Sequence, residues 1–318
     1  MNVNVFNRQK AVFNGSKTKE ENRMRMIRRL LYLDLYSTDP KESADFFREM
    51  FDWEISEGEE GQFYVSVDKY HHRLAIYPAD APGIRTITWE VFNRMDYLKI
   101  AKRLGENNKD FTILSPEESK SRQVKQCLYF YDPAGYRVEI AYGPYVTQPQ
   151  LKNRGIIDVM DMVHVTLAVK EEKFKRNVEF YEEVLGFHIS DWVGDKIVFT
   201  RCSENHHNLA MSAVEEVTRS FRHVMFEVET IDDLMKMYYR AKQLNKDVRG
   251  PNRHGNCKTM EIYTRIPGVE GDVEIGYGHT KIPNDADWEV VVYPLNQQEF
   301  VEFVEYWSHP KFQSKTLV

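Results

Sequence analysis

The sequence has few cysteines, no long apolar run and no strong excess of charge, and each absence excludes a class of protein. Three cysteines, Cys127, Cys202 and Cys257, occur in 318 residues and form no CxxC pair. This count argues against a disulfide framework and favours a reducing compartment. No apolar run is long enough for a membrane-spanning helix, and the first thirty residues lack the apolar core of a signal peptide. We therefore expect a cytoplasmic protein without a membrane partner.

The charge balance gives no sign of a nucleic-acid partner. The net charge is −6, with 29% charged and 42% hydrophobic residues, which is typical of a globular protein. One exception is the basic, Asn-rich segment 1–29, which we interpret as a flexible arm or a subunit contact. At the other end, residues 297–307 form an amphipathic stretch that is predicted to cover a cavity mouth or a subunit interface.

The most informative feature is an internal repeat. The phrase His-His-x-Leu-Ala occurs at 71–75 and again at 206–210. Three further pairs of strand-like phrases keep the same order and nearly the same offset of about 135 residues: YLDLYS (32–37) with HVTLAV (164–169), IRTITWEV (84–91) with FRHVMFEV (221–228), and YRVEIAYG (136–143) with GDVEIGYG (271–278). The chain is therefore predicted to contain two copies of one module.

Each module is predicted to have an α+β fold. Its pattern is a strand, an amphipathic helix and three strands, written twice, so the chain should contain four βαβββ units. A polar, Pro-containing segment at 144–156 indicates the boundary between the modules. The predicted organisation is an arm (1–29), an N-terminal domain (30–146), a C-terminal domain (147–285) and a tail (286–318).

Three strands of the second module carry one possible metal ligand each. Side chains alternate along a strand, so His164, His223 and Glu274 lie opposite the apolar faces of their strands. Those apolar faces consist of Val165, Leu167 and Val169; Val224, Phe226 and Val228; and Val273, Ile275 and Tyr277. The pattern indicates strands that curve around a polar cavity. Two histidines and one carboxylate suit non-haem Fe(II), and Mn(II) accepts the same donors.

Comparison with the first module indicates that these histidines serve a function. Its matching positions are Tyr32, Thr86 and Glu139, so both histidines are absent while the surrounding strand phrases persist. The fold itself therefore does not require histidine at either position, and only the second module is predicted to hold a metal.

The segment 249–278 carries a resemblance to a known family. It contains a histidine, a tyrosine nine residues later, a Pro-Gly element and a glutamate before Gly-x-Gly, provided by His254, Tyr263, Pro267–Gly268, Glu274 and Gly276–Gly278. With the repeat, residues 30–285 resemble the vicinal oxygen chelate superfamily, and within it the type I extradiol ring-cleaving dioxygenases. This resemblance implies two tandem open-barrel domains, a metal in the C-terminal domain alone, and a homo-oligomer.

The resemblance also implies roles for individual residues. His164, His223 and Glu274 match the metal ligands, although Asp272 lies on the same strand face and is a rival third ligand. Glu274 is preferred because Glu139 occupies the same phrase in the first module and because the Gly-x-Gly spacing fits. The resemblance also implies His207 as acid–base catalyst, on a strand face shared with Leu209 and Met211, and Tyr263 and His254 as its partners. Arg249 matches an arginine found in some relatives that act on carboxylated catechols, and the alternative is a solvated loop arginine. Arg253, Phe199 and Trp192 are further candidates for substrate binding, with core packing as the alternative for the two aromatic residues. His206, His188 and His279 are interpreted as structural.

The implied activity is Fe(II)-dependent opening of a catechol-type ring with O₂ as co-substrate, beside the diol, to a muconic semialdehyde-type product. Two alternatives remain. One is a metal-dependent, glyoxalase-like isomerase or thiol transferase, which would use no oxygen. The other is a non-catalytic small-molecule binding module.

Overall fold

The computed structural model of the protein describes residues 25–147 and 155–295. The basic arm up to residue 24 and the amphipathic stretch 297–307 lie outside these ranges, so the predictions about them stay predictions. Among the described residues, no helix is long and apolar enough to cross a membrane. All three cysteines are buried and free.

The first half of the chain folds into two βαβββ units around an eight-stranded sheet. The sheet order is β2-β3-β4-β1-β5-β8-β7-β6. The first unit comprises β1 (Ile27–Ser37), α1 (Pro40–Phe51), β2 (Glu54–Glu57), β3 (Phe63–Ser66) and β4 (Leu74–Pro78). The second comprises β5 (Gly83–Val91), α2 (Arg94–Glu106), β6 (Phe111–Ile113), the additional helix α3 (Pro116–Ser121), β7 (Val124–Tyr131) and β8 (Arg137–Pro144).

The second half repeats this arrangement in a nine-stranded sheet, ordered β14-β15-β16-β13-β9-β12-β11-β10-β17, in which β17 spans Val291–Tyr293. Its first unit comprises β9 (Val159–Lys170), α4 (Glu171–Glu183), β10 (His188–Val193), β11 (Ile197–Arg201) and β12 (Leu209–Val214). Its second comprises β13 (Phe221–Val228), α5 (Ile231–Gln243), β14 (Val248–Arg253), β15 (Met260–Arg265) and β16 (Asp272–Tyr277). The predicted α+β fold with four βαβββ units is confirmed.

Local sequence explains where the helices begin and end. The Asp39 side chain accepts a hydrogen bond from the Glu42 backbone N–H at 2.9 Å, and Pro40 follows as the first helical residue of α1. The helix ends at Asp52, whose φ of 57° is left-handed. Thr230 caps α5 by accepting from the Asp233 backbone N–H.

The core lies between the helices and one face of each sheet. The apolar faces predicted for β9, β13 and β16 are buried there, with Tyr277 packed at the edge. Aromatic contacts continue the core from one half of the chain to the other: Trp53 packs on Phe226 at 4.9 Å and Trp89 on Phe187 at 5.0 Å between ring centroids. The opposite sheet faces are thereby left for polar side chains.

Two boundaries differ from the sequence prediction. Strand β12 begins at Leu209, so His206 and His207 lie in the preceding loop and not on the strand. Residues that were assigned to the tail contribute a strand, β17 (Val291–Tyr293), which pairs in parallel with β10 and extends the second sheet. Neither difference was visible in the alternation of the sequence, because both depend on pairing with distant strands.

Candidate metal centre and the side chains around it

Strand register brings the predicted ligands together. His164 on β9 lies opposite Met225 on β13, Met225 lies beside Glu274 on β16, and Glu274 lies opposite Tyr263 on β15. His223 is two residues before Met225, so it projects from the same face one step along the strand. The two histidines and the glutamate therefore share the polar face of the second sheet, as alternation predicted.

Three ligand atoms converge at this position. The Nε2 atoms of His164 and His223 are 3.1 Å apart, and each lies 3.2 Å from Oε2 of Glu274. His164 and Glu274 are almost fully buried, whereas the side chain of His223 is 20% exposed. The group is thus closed on the core side and approachable from the side of His223.

Burial and mutual contact shift the ionisation of this group. Burial is the main factor that lowers the pKa of His223, to about 3, against the opposing effect of the Glu274 charge. Burial alone would raise the pKa of Glu274, but the neighbouring imidazoles hold it at about 2. The carboxylate is therefore anionic and His223 presents a lone pair, which are the ligand forms that metals require.

The donor set fits a divalent metal ion. Ligand atoms bound at about 2.0–2.2 Å on adjacent positions of one metal lie about 3 Å apart, and the three contacts are 3.1–3.2 Å. Hydrogen bonds alone do not satisfy the cluster, because Oε1 of Glu274 and Nδ1 of His164 are buried without a hydrogen-bond partner. A cation among the three donors would compensate the buried carboxylate.

Asp272, the rival ligand, has other partners. It lies opposite His223 in the register, one step from Glu274. Its carboxylate oxygens pair with Arg249 at 2.5 Å and Arg265 at 3.1 Å. Because both oxygens face guanidinium groups, the geometry favours Glu274 over Asp272 as the third ligand.

His207 packs directly on His164, with ring centroids 4.1 Å apart. The prediction that it shares a strand face with Leu209 and Met211 is wrong. Those two side chains are buried in the core with Val165, on the face opposite His164. The loop conformation before β12 turns the His207 ring to the polar face instead.

A hydrogen-bonded chain behind His207 was not predicted. Nε2 of His206 donates to Oδ2 of the buried Asp191 at 2.7 Å, and Nδ1 of His206 lies 3.1 Å from Nδ1 of His207. A carboxylate can only accept, so His206 carries its proton on Nε2 and offers the Nδ1 lone pair to His207. The chain therefore favours the proton of His207 on Nδ1 and leaves Nε2 for chemistry.

His279, which was interpreted as structural from the sequence, lies close to His207 and His164. It is buried, with its ring 4.9 Å from His207 and 6.0 Å from His164, and these three histidines form an alternative cluster of possible ligands. Its Nδ1 contacts Thr259 Oγ1 at 2.8 Å, and its Nε2 faces the backbone N–H of His207 at 3.5 Å. Because both nitrogens already have polar neighbours, His279 fits a role in holding the loop of His207 better than metal ligation.

Tyr263 and His254 form the polar pair expected from the resemblance. The Tyr263 hydroxyl lies 2.9 Å from Nε2 of His254, and the Tyr263 ring meets the edge of His223 at 5.3 Å. Burial, reinforced by the charge of Glu274, raises the pKa of Tyr263 well above its usual value. The hydroxyl therefore stays protonated and available as a donor beside the ligand cluster.

Of the four predicted substrate-binding residues, two lie near the cluster. Phe199 packs on His207 at 5.0 Å, and the guanidinium of Arg249 lies 5.2 Å from the centre of the Tyr263 ring. Arg253 is paired with Met260 across the strands and donates to the Lys258 carbonyl, outside the cluster. Trp192 packs edge-on against Phe174 of α4 at 6.2 Å, on the core side of the sheet.

The equivalent position in the first half is filled differently. Tyr32, Thr88 and Glu139 align across β1, β5 and β8 as His164, Met225 and Glu274 do in the second half. The Arg122 guanidinium reaches this position and pairs with Oε2 of Glu139 at 2.8 Å. His72, the second histidine of the first pair, stacks on Tyr32 with ring centroids 4.2 Å apart, as His207 packs on His164 in the second half.

Comparison with known proteins identifies the family. The model of the glyoxalase/bleomycin resistance protein/dioxygenase superfamily matches residues 29–140 and 162–270, which covers both halves. The chain belongs to this superfamily. Its tandem domains are those that the sequence resemblance to vicinal oxygen chelate proteins predicted, and that prediction is confirmed.

Individual superfamily members resemble the chain along most of its length. An iron-dependent extradiol dioxygenase from Rhodococcus jostii is 24% identical over 284 residues, covering 82% of this chain and 92% of that protein. A 1,2-dihydroxynaphthalene dioxygenase from Sphingobium xenophagum is 24% identical over 83% of this chain and 93% of its own length. The crystal structure of BphC, a halotolerant catechol dioxygenase, superposes with a TM-score of 0.78 at 26% identity, over 91% of this chain and 97% of that chain.

The same superfamily fold also occurs in a different enzyme class. A Mn(II)-bound glyoxalase from Novosphingobium aromaticivorans superposes with a TM-score of 0.74 at 20% identity, over 91% of this chain and 94% of that one. At this identity the likeness concerns the fold alone. The residues at the site, and not the fold, therefore distinguish the two enzyme classes.

Proposed function

We propose that the protein is a non-haem Fe(II)-dependent extradiol dioxygenase. It would open the ring of a catechol-type aromatic with O₂, beside the diol, and release a muconic semialdehyde-type product. The observation that carries this proposal is the convergence of His164, His223 and Glu274 on one point, with His207 and Tyr263 packed around it. The extradiol dioxygenases among the relatives support the same reaction class.

His164, His223 and Glu274 would hold the metal. Two imidazoles and a carboxylate suit Fe(II), which would supply open positions for the diol oxygens and for O₂, while Mn(II) accepts the same donors. One negative charge from Glu274 leaves the site with a net positive charge once a divalent ion is present. That charge attracts the oxygens of a catechol and favours their ionised form.

His207 would move a proton at Nε2. Its Nδ1 faces the His206–Asp191 pair, so the ring is fixed from behind while Nε2 remains free to act. Packing on His164 would keep this nitrogen beside the reactants when they bind. As a neutral imidazole it can accept a proton from a substrate hydroxyl and return it to a product oxygen, which typically contributes about 10²–10⁴-fold to the rate.

Tyr263 and His254 would orient the substrate from the opposite side. Their hydroxyl–imidazole contact of 2.9 Å fixes the two side chains relative to each other. When Nε2 of His254 donates to the Tyr263 oxygen, the proton of Tyr263 is free for the substrate. The Tyr263 hydroxyl would donate to a ring oxygen and stabilise negative charge there. Phe199 would form an aromatic wall beside His207. Arg249 would bind a substrate carboxylate only if its pairing with Asp272 were exchanged for the substrate.

Oxygen consumption tests this proposal directly. The protein is purified anaerobically, loaded with Fe(II), and mixed with catechol, 3-methylcatechol and 2,3-dihydroxybiphenyl in an oxygen-electrode cell under visible absorption. We expect oxygen uptake that matches the appearance of a yellow product. Metal binding without oxygen uptake on any of these substrates would contradict the proposal, and isomerisation of a hemithioacetal without oxygen would identify the glyoxalase-like alternative.

A further inference from the structure

The first half of the chain contains a cavity at the place that corresponds to the candidate metal centre. Its volume is about 580 Å³, and Asp34, Thr86 and Glu139 form its floor. Asp34 lies opposite Thr86 in the register, as Thr166 lies opposite His223 in the second half. The duplication has therefore preserved a cavity on the same sheet face while changing the side chains at its base.

The floor of this cavity is built for a ligand other than a metal. The Arg122 guanidinium donates to Asp34 at 2.8 Å, to Glu139 at 2.9 Å and to the Thr88 hydroxyl at 3.2 Å. The positive charge that a metal would provide is thus already supplied by a side chain. A ligand in this cavity would lie above the guanidinium and meet the atoms that Arg122 leaves unpaired.

Two polar atoms of the lining lack partners. Oδ1 of Asp34 is buried without a hydrogen bond, and the whole Asp34 residue is only 1% exposed. Nε of Arg137 is also buried and unpaired, although its NH2 reaches Glu139 at 3.1 Å. A buried carboxylate oxygen requires a donor and a guanidinium N–H requires an acceptor, because leaving either unmet typically costs about 1–3 kcal/mol. A hydroxyl group satisfies the first and an anionic oxygen the second.

Aromatic rings and a further cation complete the walls. Tyr36, Tyr64 and Tyr77 line the cavity, and the Arg85 guanidinium stacks 3.6 Å above the Tyr77 ring. Arg85 lies 4.0 Å from Asp34, and its side chain remains one-third exposed at 33%. Tyrosine walls suit a planar ring, and a stacked, partly exposed guanidinium suits a carboxylate.

The charges of the inner lining set the charge of the ligand. Seven charged residues line the cavity, and two of them, Glu59 and Glu60, are exposed to solvent, which screens their charges. Among the other five, three guanidinium groups, on Arg85, Arg122 and Arg137, face two carboxylates, on Asp34 and Glu139. One positive charge is left uncompensated, so a ligand with one negative charge balances the cavity, whereas a dianion or a cation does not.

We propose that this cavity binds a monoanionic aromatic carboxylate that carries a ring hydroxyl, as a second small-molecule site separate from the candidate metal centre. The carboxylate pairs with Arg85 and accepts from Nε of Arg137, the hydroxyl donates to Oδ1 of Asp34, and the ring lies between the tyrosines. This assignment does not depend on the reaction catalysed in the second half.

Isothermal titration calorimetry on the full Fe(II)-loaded chain tests the proposal, with 3-hydroxybenzoate, benzoate and phenol as probes. We expect saturable binding of 3-hydroxybenzoate, and binding at least about fivefold weaker for benzoate and phenol, which each lack one of the two polar groups. Absence of saturation with 3-hydroxybenzoate up to about 10 mM, or equal affinity for all three probes, would overturn the proposal.

Substitutions locate the binding. Arg85→Gln should weaken 3-hydroxybenzoate binding at least about tenfold, whereas Arg94→Gln, at an exposed arginine bonded to Gln126, should leave it unchanged. If Arg85→Gln lowers the melting temperature strongly, Arg137→Gln serves as the second variant with the same expectation. Unchanged affinity in a folded Arg85→Gln or Arg137→Gln protein would refute the site. Loss of binding in Arg249→Gln alone would move it to the second half.

Discussion

Glu139 and Glu274 occupy the same position in the two sheets, yet one faces a guanidinium and the other two imidazoles. Glu139 follows Val138 on β8, which pairs in parallel with β5. Glu274 follows Val273 on β16, which pairs in parallel with β13. Glu139 meets Arg122 at 2.8 Å, whereas Glu274 meets His164 and His223 at 3.2 Å. Both buried carboxylates therefore require compensation of their charge, which Arg122 provides in the first half, whereas the histidine cluster of the second half would do so by holding a metal.

Replacing Glu274 should abolish metal binding. Glu274→Gln removes the only anionic donor of the cluster, so iron content after anaerobic loading and desalting should fall from about one per chain to near zero. Asp272→Asn is the matched control, because it breaks the pairs with Arg249 and Arg265 two residues away. Mass spectrometry measures the iron content of both variants, and Asp272→Asn should retain its iron. Retention of iron in Glu274→Gln with loss in Asp272→Asn would reverse the ligand assignment.

Replacing Asp191 should impair catalysis without removing the metal. Asp191→Asn no longer fixes the proton on Nε2 of His206, so the proton of His207 is no longer directed to Nδ1. We expect kcat to fall about 10- to 100-fold, as for other groups that orient a catalytic side chain, with KM and iron content nearly unchanged.

The control for this variant is Asp285→Asn. Asp285 pairs with Arg25 and Arg201 in the same region without touching His206, so its loss should affect thermal stability more than kcat. Steady-state oxygen uptake measures both variants. Full kcat in a folded Asp191→Asn protein would mean that the carboxylate does not act through His207.

Removing the Arg122 guanidinium should destabilise the first half. Arg122→Met leaves the carboxylates of Asp34 and Glu139 buried without their main cation. Breaking a buried pair from one side typically costs about 3–5 kcal/mol, while an exposed substitution such as Arg94→Gln stays within about 0.5 kcal/mol. Urea denaturation measures the difference, and equal midpoints for the two variants would show that Arg122 is not what compensates the two carboxylates.

Asp132 should make stability depend on pH. Burial is the main factor that raises its pKa, to about 6, despite hydrogen bonds from the Gly135 and Tyr136 backbones. A carboxyl whose folded pKa exceeds its unfolded value of about 3.9 stabilises the fold when protonated, and this contribution is lost as the pH rises through about 6. Its size is about 2–3 kcal/mol.

The pH dependence is isolated by comparing wild type with Asp132→Asn. The free energy of unfolding is measured at several pH values between about 4.5 and 7.5. Wild type should lose stability relative to the variant as the pH rises across this range, because only wild type must then bury a charged carboxylate. Parallel profiles for the two proteins would mean that Asp132 titrates normally in the fold.

The sequence was sufficient to predict that the three candidate ligands lie on one sheet face. His164, His223 and Glu274 stand on regular strands, so alternation alone assigned them to one face, and the repeat showed that the fold does not need the histidines. The repeat also predicted the number of βαβββ units. These inferences succeeded because they used short-range periodicity, which survives folding unchanged.

Features that depend on distant pairing were not predicted. His207 was assigned to the wrong face because its loop does not continue the alternation of β12. Trp192 was considered for the pocket, yet its strand directs the neighbouring Asp191 to the histidine pair and Trp192 to the core. An aspartate beside Trp192 and Val193 on strand β10 was the available signal for Asp191. His279 and Arg122 carried no such signal, since they reach their positions only when separate strands assemble.

The central claim is that the second half inserts both atoms of O₂ into a catechol beside its diol. Mass spectrometry of the product formed under ¹⁸O₂ by the Fe(II)-loaded protein tests it most directly, with Glu274→Gln as the inactive control. We expect a ring-opened semialdehyde or keto acid that carries one ¹⁸O in the new carboxylate and one in the new carbonyl, before carbonyl exchange with water. A quinone without ¹⁸O, or a muconate cleaved between the hydroxyls, would contradict it.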